Sequence, residues 1–61
     1  MEPISEYTSE KGDKIAIVWF NSTERMFYVD FEEYGTFEKK FKFLVDAEEY
    51  AEDYVLGEIR Y

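Results

Sequence analysis

The chain has no cysteine and no histidine. Without cysteine there can be no disulfide, and without either residue there is no ordinary zinc site. Lack of histidine also removes the Ser/His/Asp and Cys/His arrangements of nucleophilic catalysis. Glycine is sparse, and Gly12, Gly35 and Gly57 stand too far apart to form a phosphate-binding loop. The longest apolar run, Ile15 to Phe20, is far shorter than the ~20 residues that span a bilayer. Met1-Glu2-Pro3-Ile4-Ser5-Glu6 has neither the basic stretch nor the apolar stretch of a secretory signal. The expectation is a soluble cytoplasmic protein.

Basic residues are also few, 7 Lys and Arg against 15 Asp and Glu, for a net charge of −8. That charge repels phosphates, so neither direct nucleic-acid binding nor a membrane contact is expected. Arg25, Lys39, Lys40 and Lys42 are too few to surround an RNA-stacking platform on a sheet. The acids do not follow the spacing of an EF-hand loop. Paired carboxylates could do acid–base work only in a pocket that separates their pKa values. A chain of 61 residues leaves little volume for one. The composition therefore points to a non-enzymatic protein without metal or cofactor.

What is abundant is aromatic surface, 21% Phe, Trp and Tyr. A single domain of this size buries only about 60% of its unfolded surface, the marginal end of the range. Aromatic side chains bury roughly 150–250 Å² each and can build a core from few residues.

Residues 1–13 are polar, with Ile4 and Tyr7 as anchors, and read as a tail or a short edge strand. Lys11-Gly12-Asp13 has turn chemistry. Residues 14–20 (KIAIVWF) are β-branched and aromatic, as a buried strand requires. Asn21-Ser22-Thr23-Glu24 is a turn, and residues 25–31 (RMFYVDF) form a second strand. Glu32-Glu33-Tyr34-Gly35 is a second turn. Residues 36–44 (TFEKKFKFL) read as a third strand, with Phe37, Phe41 and Phe43 on one parity; a helical reading of Phe37, Phe41 and Leu44 stays open.

The period then changes. Asp46 and Glu49 match the N-cap and N3 of a capping box, and Val45 and Tyr50 match a hydrophobic staple. Ala47, Tyr50, Ala51, Tyr54 and Val55 follow an amphipathic helix, and Gly57 suits its C′ position. Residues 58–61 are a short strand or a tail. The expected fold is α+β: a three-stranded antiparallel β-meander, with a possible extra edge strand, packed on one face by a single C-terminal α-helix.

Register decides the faces. Pairing Phe20 with Arg25 sets Val18 opposite Phe27 and Ala16 opposite Val29. A Glu33-Tyr34-Gly35 loop with Gly35 left-handed pairs Phe31 with Phe37, Val29 with Lys39 and Phe27 with Phe41. One face then holds Val18, Phe20, Phe27, Val29, Phe31, Phe37, Phe41 and Phe43, and receives the helix through Tyr50, Ala51, Tyr54 and Val55. The other holds Ile15, Ile17, Trp19, Met26 and Tyr28, and one helix cannot cover both. Either residues 1–10 fold across that second face, or the C-terminal segment reshapes the sheet, or the face is a contact surface. In the last case Ile17, Trp19, Met26 and Tyr28 are the candidate contacts, for a scaffold protein or a homodimer.

The acids suggest a second contact surface. Glu48, Glu49, Glu52 and Asp53 form the polar side of the helix, and Glu32, Glu33 and Glu38 cluster around the turn. Glu48/Glu52 and Glu49/Asp53 are like-charge i, i+4 pairs, each unfavourable by roughly 0.2–0.5 kcal/mol. The candidate partner is a protein with a basic, nucleic-acid-handling surface, on which these carboxylates occupy the places of phosphates. In size, charge and its EEYAEDYVLG helix the chain resembles small inhibitors carried by bacteriophages, such as anti-CRISPR proteins and inhibitors of host RNA polymerase. That resemblance implies a partial DNA mimic that binds a host protein in the cytoplasm.

Overall fold

The computed structural model describes residues 1–32 and 36–57, with the side chains of 36–38 excepted. Four strands, β1 (Glu2–Thr8), β2 (Ile15–Asn21), β3 (Met26–Phe31) and β4 (Thr36–Phe41), are followed by one helix, α1 (Leu44–Val55). The sheet is antiparallel, in the order β1-β2-β3-β4. The meander is thus present, and the N-terminal segment is its extra edge strand.

α1 packs on one face. Ala16, Val18, Val29 and Phe31 from the sheet and Ala47, Ala51 and Tyr54 from α1 form the core, with Tyr7, Phe27, Phe41, Tyr50 and Val55 packed against it. Ala47 and Ala51 are wholly buried. Their small side chains let the helix approach the strands, and the tyrosines on either side fill the remaining gaps. Tyr50 lies against Phe31 and Phe41, with ring centroids 5.4 and 5.3 Å away. Lys39 interrupts the apolar parity of β4 without cost, because its ammonium lies 5.5 Å from the Phe41 ring centroid and 5.4 Å from that of Tyr50.

The first register differs from the expected one. Phe20 pairs with Phe27, Val18 with Val29 and Ala16 with Phe31. The cause is local. The Asn21 side-chain oxygen accepts hydrogen bonds from the Thr23 and Glu24 amides, at 3.0 and 3.1 Å. Arg25 takes a left-handed φ of 56° and its N–H bonds to the Asn21 carbonyl at 2.7 Å. Arg25 therefore closes the turn and does not open β3. The slip is two residues, so the faces are kept.

In the second hairpin Val29 pairs with Lys39 and Phe27 with Phe41, as expected. The Phe31–Phe37 pair does not form: a bulge at Glu38 sets Phe37 opposite Asp30 and Thr36 opposite Phe31. The expected loop at Glu33-Tyr34-Gly35 and the reading of residues 58–61 lie outside the described residues.

The helix starts earlier than the capping-box pattern places it. Phe43 is the N-cap, with no side-chain cap, and Asp46 sits within the first turn. β4 ends at Phe41, so Phe43 does not join the sheet face and is 59% exposed. Val45 lies inside the helix, 64% exposed, and makes no staple. At the other end the pattern holds. Gly57 has φ of 81°, and its N–H bonds to the Tyr54 carbonyl at 3.0 Å. No basic residue lies in the last turn of α1. Lys14 of the β1–β2 loop supplies one through space: its ammonium is 5.7 Å from the Tyr54 ring centroid and 3.6 Å from where a Cβ on Gly57 would stand.

Candidate functional site

Two surfaces carry the residues singled out above. The first is the solvent side of α1. Within twelve residues the helix holds Asp46, Glu48, Glu49, Glu52 and Asp53 and no lysine or arginine. Glu49 and Glu52 are exposed, whereas Glu48 and Asp53 are half-buried.

These acids do not all point the same way. Glu48 turns toward β1, where Ser5 Oγ donates to its Oε2 at 3.3 Å and the Tyr7 hydroxyl also bonds to it. Burial, and then the charges of Glu48 and Glu52, hold the Tyr7 hydroxyl above the ordinary tyrosine pKa. On the β4 side, Asp46, Glu49 and Asp53 line a shallow hollow of about 290 Å³ whose floor is Phe41 and Tyr50. Glu32, exposed just past β3, stands apart from these, its N–H bonded to the Ile15 carbonyl at 3.0 Å. The side chains of Glu33 and Glu38 lie outside the described residues. The expected acidic surface is therefore divided: one carboxylate is engaged with β1, and four helix acids face solvent or the hollow.

The second surface is the sheet face opposite α1. β1 does not fold across it. Instead β1 widens the sheet at its edge, pairing Tyr7 with Ala16 and Glu6 with Ile17. Ile15, Ile17, Trp19, Met26 and Tyr28 are all half-buried here, and no described element forms a second layer over them. The Tyr28 hydroxyl donates to Glu24 in the neighbouring turn, a bond that raises its pKa. A bulge at Ile4 leaves a hollow of about 470 Å³ beside Pro3, Glu6, Ile17 and Trp19.

One feature escaped the sequence reading. Phe43, Leu44 and Val45 are consecutive and exposed at the start of α1, with the Lys42 ammonium 5.9 Å from the Phe43 ring centroid. The early helix start exposes them, and no side-chain pattern announces that start.

Among the described residues no group of three or more acids is arranged to hold a metal ion. No described helix is long and apolar enough to cross a membrane. Comparison with protein-family models, with curated proteins and with solved structures finds no match in any of the three.

Proposed function

We propose that the chain is a non-enzymatic binding module that lays the acidic side of α1 on a basic, nucleic-acid-binding surface of another protein and blocks it. A phage-type inhibitor of a host polymerase, restriction enzyme or CRISPR nuclease is the class this describes, acting in the host cytoplasm.

The one-sided charge of α1 carries the reading. From Asp46 to Asp53 the helix presents four outward carboxylates, those of Asp46, Glu49, Glu52 and Asp53, along about 10 Å of axis, roughly one per 2.6 Å. Duplex DNA carries one charge per ~1.7 Å of axis. The helix is anchored by wholly buried Ala47 and Ala51, so the backbone that carries its carboxylates is held against the sheet. Their arrangement is not one that local stability selects. Glu48/Glu52 and Glu49/Asp53 repel across one turn, and Glu52 and Asp53 lie toward the negative end of the helix.

The test is capture from nuclease-treated host lysate on the tagged protein, with identification by mass spectrometry. A nucleic-acid-handling protein is expected, its affinity weakening about tenfold or more between about 50 mM and 0.5 M salt. DNA should compete for the same site. The combined Glu49→Lys, Glu52→Lys and Asp53→Lys variant should keep its circular dichroism and lose the partner. Retention of the partner by that variant would overturn the reading.

A further inference from the structure

α1 begins on Phe43, Leu44 and Val45, which are 59%, 37% and 64% exposed. Stability does not ask for them there. An N-cap favours serine, threonine, aspartate or asparagine, yet Phe43 holds that place with no side-chain cap. Val45 is β-branched and faces solvent inside a helix, where alanine or a straight chain does better. We propose that Phe43 and Val45 are the apolar anchor of the acidic docking surface, seated in an apolar socket that the partner carries beside its phosphate-binding groups. The proposal rests on the acidic-helix reading. It adds what the carboxylates lack, a contact that salt does not weaken.

The anchor is continuous with the acids. Val45, Glu49 and Glu52 stand at i, i+4 and i+7, on one stripe of the helix, and all three are exposed. The stripe spans about 10 Å. The inner side, through Ala47, Ala51 and Tyr54, is the one held on the sheet. A partner that meets Glu49 and Glu52 therefore meets Val45 on the same side, with Phe43 two residues before it. Solvated carboxylates steer a partner and set its register more than they hold it. Holding commonly falls to an aromatic or aliphatic side chain seated in a pocket.

Neither segment outside the described residues is long enough to lie across this patch. Residues 58–61 follow Gly57, about 20 Å from Phe43 along α1, and four residues extend at most ~14 Å. The strand ends that residues 33–35 join lie about a strand's length, ~17 Å, from Phe41.

Size and charge select the occupant. The three side chains expose on the order of 300 Å². Two copies meeting through this patch would bury roughly 600 Å², below the ~1,000 Å² that a specific contact clears. An anionic bilayer is opposed by Asp46 in the same turn and by Glu49 and Glu52 within about 10 Å, close to one screening length. Against these the patch itself sets one cation, Lys42, whose ammonium lies 5.9 Å from the Phe43 ring centroid. A basic protein surface with an apolar socket suits both parts at once.

The test takes the partner captured on the tagged chain, purifies it, and measures affinity at about 50 mM and 0.5 M salt. Phe43→Ser should weaken the complex at least about tenfold at both, leaving the ratio of the two affinities as in the wild type. Serine caps a helix, so this variant should melt no lower than the wild type. Val45→Ala brings in the better helix former and should weaken binding about threefold or more, again with the ratio unchanged. It keeps the test informative if Phe43→Ser proves unstable. Glu49→Gln with Glu52→Gln should behave differently, weakening the complex chiefly at the lower salt and so reducing the ratio. Wild-type affinity in both Phe43→Ser and Val45→Ala overturns the anchor, and the acidic docking still stands if the triple-lysine variant has lost the partner. Retention of the partner by the triple-lysine variant, or a lysate that yields none, overturns the docking and the anchor with it. A dimer of the chain alone, or its binding to phosphatidylserine vesicles, that Phe43→Ser abolishes would give the patch another occupant and likewise overturn the proposal.

Discussion

The ring of Tyr54 lies flat on that of Phe31, with centroids 3.7 Å apart and planes 9° from parallel. Among the described residues Phe31 is the largest wholly buried side chain, and Tyr54 is 3% exposed. The stack joins the end of β3 to the last turn of α1, so it is the tie between helix and sheet at that end. It is closer to face-to-face than the offset geometry aromatic pairs prefer, so most of its value is buried area. Phe31→Ala should cost about 3–5 kcal/mol. A chain of this length is stable by only about 3–9 kcal/mol, so that variant is expected to be largely unfolded at 37 °C. Phe31→Leu should melt cooperatively at a lower temperature. Urea unfolding followed by circular dichroism checks both, and a native-like melt for Phe31→Ala would place the core elsewhere.

Arg25 bears the strain of the first hairpin. A side chain in the left-handed region costs roughly 1–2 kcal/mol, and glycine escapes that cost while losing somewhat more entropy on folding. Arg25→Gly is therefore expected to stabilise the protein by about 0.5–1 kcal/mol, raising Tm by some 4–8 °C per kcal/mol. Asn21→Ala should act in the opposite direction by about 1 kcal/mol, because two turn amides lose their acceptor. Differential scanning calorimetry reads both, and a destabilised Arg25→Gly would show that the guanidinium makes a contact worth more than the strain.

The same turn explains what sequence could and could not foretell. Two-residue alternation in β2 and β3 assigned both faces, and the 3.6-residue period assigned the inner side of α1, because each pattern is local. The Phe20–Phe27 register was not legible, since arginine is not a residue that signals a left-handed turn end. Nor was the start of α1, where Phe43 caps with backbone alone while Asp46 and Glu49 imitate a capping box. The bulges at Ile4 and Glu38 have no residue mark at all. Among the surface acids, composition marked the exposed ones, but the turn of Glu48 toward Ser5 and Tyr7 depends on β1 lying beside α1. That contact joins residues more than forty positions apart.

Tyr7 gives this contact a pH signature. Burial, then the charges of Glu48 and Glu52, then the hydrogen bond to Glu48 all favour the neutral phenol and raise its pKa above 10.0. An acid whose folded pKa is raised adds stability that is complete below its unfolded pKa and is lost as pH rises through the folded one. The fold should thus weaken above about pH 10, and Tyr7→Phe should weaken less steeply there. Absorbance titration of the phenolate band, wild type minus Tyr7→Phe, should place the missing transition on the alkaline side of an ordinary tyrosine. A difference transition at or below pH 10 would mean that Tyr7 and Glu48 do not meet in solution.

Glu52 separates the stabilising and binding roles of the helix acids. It faces solvent one turn after Glu48 and three residues after Glu49, toward the negative end of α1. A lysine there turns an unfavourable i, i+4 pair into the favourable orientation, Glu before Lys, and complements the helix dipole. Glu52→Lys should therefore stabilise the fold by about 0.5–1 kcal/mol and also lower the pKa of Tyr7, by removing one of the negative charges that raise it. If the acidic side of α1 docks on a basic partner, the same change weakens that complex. The two measurements together are decisive. A more stable protein that has lost its partner means the repulsive acids are kept for binding, at some expense of stability. A more stable protein that binds as before means that α1 is acidic for solubility, and the docking proposal fails.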